Sequence, residues 1–218
     1  MCLVISGKAN AQTNSSMQPG ANTGSGSIII AISGTDNLEG DVYFEEAEKN
    51  ERNGDLNDAV TLFGKAAFEY NNAKNFSRYG ASLLRLGNVH YLLEHYVEAE
   101  QVVLNVALKT YSRFGNRTGL MASYNQLGKI YLASNRLTQS MWFYTQQGIL
   151  ARQSNNNNSY IESILGLAQV KIRKKEYTLA MKDINRAELL AKSGKTNQFK
   201  GQFKQVRATI AEKKSVNK

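Results

Sequence analysis

The sequence contains one cysteine, one proline and two histidines in 218 residues, and these low counts exclude several classes of protein. Cys2 alone cannot form a disulfide within the chain or a cysteine-based zinc site. His90 and His95 leave little material for a histidine-rich metal centre. No proline follows Pro19, so no later residue must kink or end a helix. We therefore expect no metal and no cofactor, and a chain that is free to be helical.

Long hydrophobic runs are also missing, and the N-terminal region contains only short ones. Residues 1–11 are predicted to be the remnant of a secretory signal peptide, because Ala9 and Ala11 form a small-x-small pattern after the apolar run Cys2–Ile5. On this interpretation translation starts upstream and the protein is exported, to the periplasm or the medium. A cytoplasmic protein with a disordered N-terminus remains the alternative. Residues 12–40 are predicted to be a flexible Gly/Ser/Asn linker.

Within that linker, "SIIIAIS" at 27–33 is an apolar run. It is far shorter than the roughly 20 residues that a membrane-spanning helix requires. We therefore predict no transmembrane segment.

Acidic and basic residues are unevenly distributed along the chain, whose formal net charge is +9. Residues 36–69 contain 10 acidic and 3 basic residues, a net charge of −7. Residues 171–218 contain 14 basic and 4 acidic residues, a net charge of +10. This polarity can steer a charged partner or favour head-to-tail contacts, but it does not specify a fold.

Two stretches of the sequence resemble each other at a distance of 41 residues, "LLRLGNVHYLLEHYVEA" (83–99) and "YNQLGKIYLASNRLTQS" (124–140). Extending the register gives four units, each with two small residues and then a bulky one. The first small position holds Ala47, Gly87, Gly128 and Ala168, the second holds Ala59, Ala99, Ser140 and Ala180, and the bulky position holds Phe63, Val103, Tyr144 and Ile184. Apolar residues at three- and four-residue spacing predict amphipathic helices. Small residues would let the two helices of a hairpin approach closely.

The repeat also predicts where the chain turns. Within each unit it should reverse direction at Leu56, Tyr96, Leu137 and Tyr177. Between units, an asparagine is predicted to cap the next helix at Asn75, Asn116, Asn157 and Asn197. The register reaches Ala208, so residues 198–213 are predicted to form one further helix that covers the last hairpin.

The sequence "LGKIY" (127–131), with small and bulky residues in phase around it, resembles the tetratricopeptide repeat (TPR), whose usual period is about 34 residues. The period of 40 to 41 residues resembles the long-period variety common in bacterial signalling and extracytoplasmic proteins. The usual tryptophan and terminal proline of each repeat are missing, and Ser140 and Gln147 depart from the pattern in the third unit. The resemblance covers residues 41–213. It implies an all-α fold, an α-solenoid of about four helical hairpins plus a C-terminal capping helix, followed by a basic tail at 214–218.

No catalytic site is recognisable in the sequence. "SGKT" at 193–196 resembles the end of a phosphate-binding loop, but Leu189 stands where that motif requires glycine. No nucleophile, base and orienting group share a predictable site. We therefore expect a protein that is not an enzyme.

The resemblance implies instead a binding surface on the first helices of successive hairpins, whose stacked faces form an extended concave groove. The predicted peptide-binding groove consists of seven polar residues on that face: Glu48, Asn88, Tyr91, Asn125, Lys129, Gln169 and Arg173. Leu84 stands where family members that clamp a C-terminal carboxylate have a lysine, which disfavours that ligand. A surface that is merely solvated remains the alternative.

Two further interpretations remain open. The basic C-terminal segment is predicted, as an alternative, to bind nucleic acid, with Lys and Arg neutralising phosphates and Phe199 and Phe203 stacking on bases. The chain could also be the orphaned sensor part of a longer signalling protein. The leading prediction is a non-enzymatic module that binds a protein or peptide.

Overall fold

A computed structural model describes residues 36–216 of the chain, with side chains from Glu39 to Lys214. The predicted signal remnant at 1–11 lies outside the described residues, as does the linker up to residue 35 with its apolar run. The first helix begins at Asp36, within the stretch predicted as linker, and the last helix ends at Val216.

The described part of the protein is all-α, as the sequence predicts. Four helical hairpins follow one another and a single helix ends the array. The hairpins are α1 (Asp36–Asn53) with α2 (Leu56–Asn72), α3 (Phe76–Leu92) with α4, α5 (Arg117–Ala133) with α6 (Leu137–Gln153), and α7 (Asn157–Arg173) with α8 (Tyr177–Ser193). The fourth helix, α4, consists of Tyr96–Glu100, a π-helical stretch Gln101–Ala107, and Leu108–Arg113; α9 is Lys200–Val216.

The predicted reversal points are confirmed. The second helix of each hairpin begins at one of them: Leu56, Tyr96, Leu137 and Tyr177. A chain reversal every 20 residues or so leaves helices of about five turns, because an α-helix has 3.6 residues per turn.

The small and bulky positions meet inside each hairpin, also as predicted. A Cβ atom built on Gly87 would lie 2.4 Å from Val103, and one built on Gly128 would lie 2.6 Å from Tyr144. Such distances are shorter than van der Waals contact, so the backbones of α3 and α5 pack directly against the bulky side chains. The cost of about 1 kcal/mol for glycine in a helix is offset by this close packing.

Asparagine side chains cap the first helices of three hairpins, at two of the four predicted positions. At the fourth, Asn197, the backbone oxygen accepts a hydrogen bond from the Lys200 amide (3.2 Å). The Asn75 side chain accepts a hydrogen bond from the Arg78 amide (3.2 Å), and that of Asn116 accepts one from the Gly119 amide (2.9 Å). In the next unit the cap is Asn156, which accepts from the Ser159 amide (3.0 Å), so the prediction of Asn157 is wrong by one residue. Four consecutive asparagines at 155–158 obscure the register in the sequence.

The first helices of the hairpins form the inner side of the array. Helices α3, α5, α7 and α9 contact one another in succession, and within the described residues no contact of similar extent joins the second helices of neighbouring hairpins. A stack in which one set of helices is closer together than the other must curve toward the closer set. We call the face of the first helices and α9 the inner face.

No helix in the described part of the chain combines the length and apolar character needed to cross a bilayer.

Candidate functional site

The inner face carries a polar groove in its C-terminal half. One cavity of about 300 Å³, here called the Glu162 pocket, is lined by Asn125, Lys129, Tyr144, Glu162, Leu165, Gly166, Gln169, Gln202 and Gln205. A second cavity of about 260 Å³ is lined by Leu132, Gln169, Ile172, Arg173, Gln205, Val206 and Thr209. The two cavities adjoin at Gln169 and Gln205, and together they are here called the inner groove, which lies across α5, α7 and α9.

A buried amide holds two side chains of the Glu162 pocket in place. Gln147 on α6 is only 1% exposed. Its Oε1 accepts a hydrogen bond from Asn125 Nδ2 (3.2 Å), and its Nε2 donates to Glu162 Oε2 (3.3 Å). The equivalent positions of the other hairpins are occupied by alanine: Ala66, Ala107 and Ala187. Gln147 therefore links α5 to α7 beneath the groove, where the other hairpins have only apolar packing.

Tyr144, a residue of α6, forms part of the wall of the Glu162 pocket. Its ring is 2% exposed and passes between α5 and α7, where Gly128 and Gly166 leave room for it. Burial raises the pKa of its hydroxyl far above the ordinary value. The Tyr144 hydroxyl is therefore neutral and remains a hydrogen-bond donor at any physiological pH.

Glu162 is the acidic group of this pocket. Its side chain is half-buried, and burial raises the pKa of its carboxyl. The positive charge of Lys129 and the hydrogen bond from Gln147 act in the opposite direction and lower that pKa. The pocket thus contains one carboxylate and one ammonium group among four amide side chains.

Four of the seven residues predicted to form the peptide-binding groove lie in this groove. Asn125, Lys129 and Gln169 line the Glu162 pocket, and Arg173 lines the adjoining cavity. Arg173 also donates from Nη2 to Asn135 Oδ1 (3.1 Å) in the turn between α5 and α6.

The other three predicted residues are engaged elsewhere. Arg85 on α3 pairs with Glu48 (3.3 Å) and with Glu51 (2.7 Å), and Asn88 Nδ2 donates to Glu51 Oε1 (2.8 Å). These contacts join α1 to α3 and engage Glu48 Oε1 and Asn88 Nδ2. Tyr91 is half-buried against Tyr96, with ring centroids 6.0 Å apart, and burial raises the pKa of its hydroxyl.

Sequence reasoning missed Glu162, Tyr144, Gln202 and Gln205 as lining residues. Glu162 lies seven residues before Gln169, a spacing of two helical turns that places both on one face of α7. Gln205 and Thr209 lie on the capping helix, and Thr209 continues the predicted series by following Ala208. The spacing therefore contained a usable signal for these residues, whereas nothing in the sequence indicates that Tyr144 reaches the groove.

The basic residues of the C-terminal segment are distributed over α7, α8 and α9. Lys171, Arg173, Lys174 and Lys175 lie near the start of α8, and Lys192, Lys195 and Lys200 lie near its end, about 24 Å away for a helix of this length. Lys171 pairs with Asp183 (2.5 Å) and Lys174 with Glu176 (2.8 Å).

The aromatic residues of the basic segment are not exposed. Phe199 and Phe203 are 1% and 5% exposed and pack in the core between α7, α8 and α9. The expectation that they stack on bases is therefore wrong, because α9 uses them to cover the last hairpin. Lys192, Lys195 and Lys200 line a cavity of about 420 Å³ at the turn before α9, where Lys192 lies 3.7 Å from Glu188.

Solved structures with a similar fold share little sequence with this chain. The apo form of RapI matches with a TM-score of 0.69 and 10% identity, over 79% of this chain and 48% of RapI. BtubC (BKLC) from P. vanneervenii matches with a TM-score of 0.65 and 15% identity, over 73% of this chain and 66% of BtubC. A putative kinesin light chain of Podosopora anserina with nearly identical TPR-like repeats matches with a TM-score of 0.61 and 14% identity, over 84% and 99% of the two chains.

These likenesses establish the fold. The protein has a helical repeat fold that is similar to TPR-like repeats, and its chain spans about half the length of RapI. No family model matches the sequence, and a search of curated proteins gives no match.

Proposed function

We propose that the protein is a non-enzymatic scaffold that binds an extended segment of a protein or peptide in the inner groove. The observation that carries this proposal is the amide network beneath the groove, in which Gln147 fixes both Asn125 and Glu162. A main chain displays alternating donors and acceptors, and amide side chains can satisfy both. Prearranged side chains reduce the entropy that a ligand must lose on binding.

Two features of the groove fit an extended ligand better than a compact one. The two cavities lie side by side along α5, α7 and α9 and share Gln169 and Gln205 as lining residues. Neither is a deep enclosed chamber, since Lys129, Gln169, Gln202 and Gln205 are exposed. Specificity in such a groove comes from individual side-chain pockets along the bound segment.

The test uses peptides selected from a random dodecapeptide display library, with dissociation constants measured by fluorescence anisotropy. Removal of the two amides that line both cavities, Gln169→Ala with Gln205→Ala, should weaken binding about tenfold. The matched control is Gln101→Ala with Gln139→Ala, which removes two amides at exposed second-helix positions and should alter affinity less than twofold. Circular dichroism establishes that both variants fold. Equal affinities of wild type and groove variant would overturn the proposal.

We also propose that the protein is an exported member of the long-period bacterial TPR type. This rests on the 40 to 41 residue period and on the pattern at Ala9 and Ala11. The mass of the N-terminal peptide from fractionated native cells tests it. A chain that begins at Gln12 in the envelope or medium supports export, and a chain that begins at Met1 in the cytosol contradicts it.

A further inference from the structure

The Glu162 pocket contains a carboxylate that has no cation paired with it. Within the described residues, Glu162 forms no ion pair, and its one hydrogen bond comes from the neutral Gln147 amide at 3.3 Å. Two other partly buried acidic groups, Glu100 and Asp183, differ in this respect. Glu100 pairs with Arg136 and accepts from Tyr131 (2.7 Å), and Asp183 pairs with Lys171.

An unpaired, half-buried carboxylate is an unusual arrangement. Removing a charge from water costs free energy unless a partner of opposite charge or several hydrogen bonds replace the lost hydration. A carboxylate has about four acceptor sites on its two oxygens, and the protein fills one of them. The raised pKa of Glu162 reports the same deficit of favourable contacts.

Two other residues, Lys129 and Gln147, act on Glu162, and neither completes its coordination. Lys129 on α5 lowers the carboxyl pKa through its charge, but its side chain is exposed and it forms no close pair with Glu162. Exposed charges are screened by salt, so the repulsion that Lys129 exerts on an incoming cation is modest. Gln147 donates a single hydrogen bond to the Glu162 carboxylate and does not fill the other acceptor sites of that carboxylate.

The size and lining of the pocket limit what can reach Glu162. A volume of about 300 Å³ lies at the small end for ligand sites, which suits one long side chain better than a whole folded partner. Leu165 and Tyr144 provide apolar surface beside the carboxylate, and Gln169, Gln202 and Gln205 provide hydrogen-bond acceptors. Lysine and arginine side chains match this lining, because each has an apolar stem that ends in a positively charged hydrogen-bond donor group.

We propose that the Glu162 pocket binds a lysine or arginine side chain of the polypeptide segment held in the inner groove. This inference rests on the proposed function and deepens it by naming the residue class that one position of the ligand must have. Glu162 supplies the ion pair, Gln147 fixes its geometry, and the amides of α7 and α9 accept the remaining donors.

The experiment uses two fluorescein-labelled decapeptide libraries composed of Ala, Ser, Asn and Leu, with either Arg or Gln fixed at the fifth position. Wild-type protein should bind the Arg library at least tenfold more tightly than the Gln library. Glu162→Gln retains the shape of the side chain and should reduce this preference to within twofold. Lys129→Gln should increase affinity for the Arg library two- to fivefold, because it removes a repulsive charge.

The control is Glu94→Gln, which removes the same charge in the exposed turn between α3 and α4 and should leave the preference unchanged. A preference for Arg that persists in Glu162→Gln would overturn the inference. Equal binding of both libraries by wild type would overturn it as well, while leaving the proposed function intact. If neither library binds, the proposed function itself fails.

Discussion

Tyr144 shows how a single side chain sets the spacing of helices in this solenoid. A Cβ on Gly128 would lie 2.6 Å from its ring and a Cβ on Gly166 would lie 2.3 Å away, so two helices pack closely against the same ring. The equivalent bulky residues in the other hairpins are Phe63, Val103 and Ile184, all fully buried. Tyr144 differs from these three residues because it also lines the inner groove. Its packing and the shape of the binding site therefore depend on the same contacts.

At the residue scale, Gly166→Ala should destabilise the protein by about 1–3 kcal/mol, measured as the free energy of unfolding in urea. The Tyr144 side chain is 2% exposed and also packs closely against Gly128, so the added methyl group overpacks the core. The matched control is Gly64→Ala in the middle of α2, where nothing lies within 4 Å of the new Cβ. That change should stabilise the protein by up to about 1 kcal/mol.

A double-mutant cycle tests the assigned cause. Tyr144→Val introduces the residue type that stands at this position in the second hairpin, and it should relieve the clash in Gly166→Ala. The double variant should therefore be less destabilised than the sum of the two single changes. Strict additivity would show that Tyr144 is not the group that the methyl contacts.

At the scale of elements, the eight joints between helices share one geometry. Each has a residue with positive φ at the end of the preceding helix: Gly54, Lys74, Glu94, Gly115, Asn135, Asn155, Lys175 and Lys195. In each joint, the backbone amide of the following residue donates a hydrogen bond to the carbonyl oxygen five positions earlier in the chain. Examples are Asn75 N to Tyr70 O (2.8 Å) and Glu176 N to Lys171 O (2.8 Å). This is the Schellman motif, in which a left-handed residue ends a helix. The protein therefore also has a shorter structural period of about 20 residues, one helix and one turn.

That shorter period explains why the sequence repeat alternates between 40 and 41 residues. Successive joints are 20 residues apart except those at Glu94 and Gly115, which are 21 apart and enclose α4. The additional residue lies between Val103 and Ala107, since these correspond to Phe63 and Ala66 of the first hairpin. The helix accommodates the additional residue in the π-helical stretch Gln101–Ala107. The segments before and after it therefore bury the same faces as in a regular helix.

Deletion of Asn105 should convert α4 into a regular α-helix without loss of stability. Asn105 is exposed, and its removal returns Val103 and Ala107 to the spacing found in α2. We expect an unchanged helical circular dichroism signal and a melting temperature equal to or above that of the wild type. Deletion of Lys65, the matched exposed position in α2, should lower the melting temperature, because α2 has no additional residue to lose. A similar loss of stability in both deletions would contradict this account of the π-helix.

At the scale of the whole molecule, the hydrophobic core is divided rather than central. Buried residues form separate clusters along the array, one around Phe63 and Val89, one around Val103 and Leu127, and one shared by α7, α8 and α9. Each cluster lies between neighbouring helices, so stability depends chiefly on nearest-neighbour interfaces. A local defect should therefore loosen its own end of the solenoid first.

Phe203→Ala provides the corresponding test by hydrogen exchange. Removal of this buried ring, 5% exposed, leaves a cavity in the terminal cluster and should accelerate amide exchange in α8 and α9. Exchange in α1 and α2 should change little, because no contact of the substituted residue reaches them. Phe63→Ala serves as the control and should accelerate exchange in α1 to α3 instead. Uniform acceleration in both variants would indicate that the array unfolds as one unit.

The sequence by itself determined the period, the hairpins and the capping helix, because these depend on local spacing. Small and bulky residues recur in phase, and the reversal points at Leu56, Tyr96, Leu137 and Tyr177 were predicted from that phase alone. The sequence did not reveal the joints as clearly, since only Gly54 and Gly115 among eight left-handed residues are glycine. The other six adopt that conformation because the flanking helices are fixed by packing.

Tertiary structure alone decided which polar residues form the site. Glu162 and Asn125 are 37 positions apart, and they come together only because Gln147 is buried between α5 and α7. Glu48 and Asn88 have the same place in their units as Lys129 and Gln169, yet Glu48 pairs with Arg85 and Asn88 donates to Glu51. Local spacing fixes the face on which a side chain lies. Which neighbour it meets depends on the adjacent hairpin, and a period of 40 residues carries no information about that pairing.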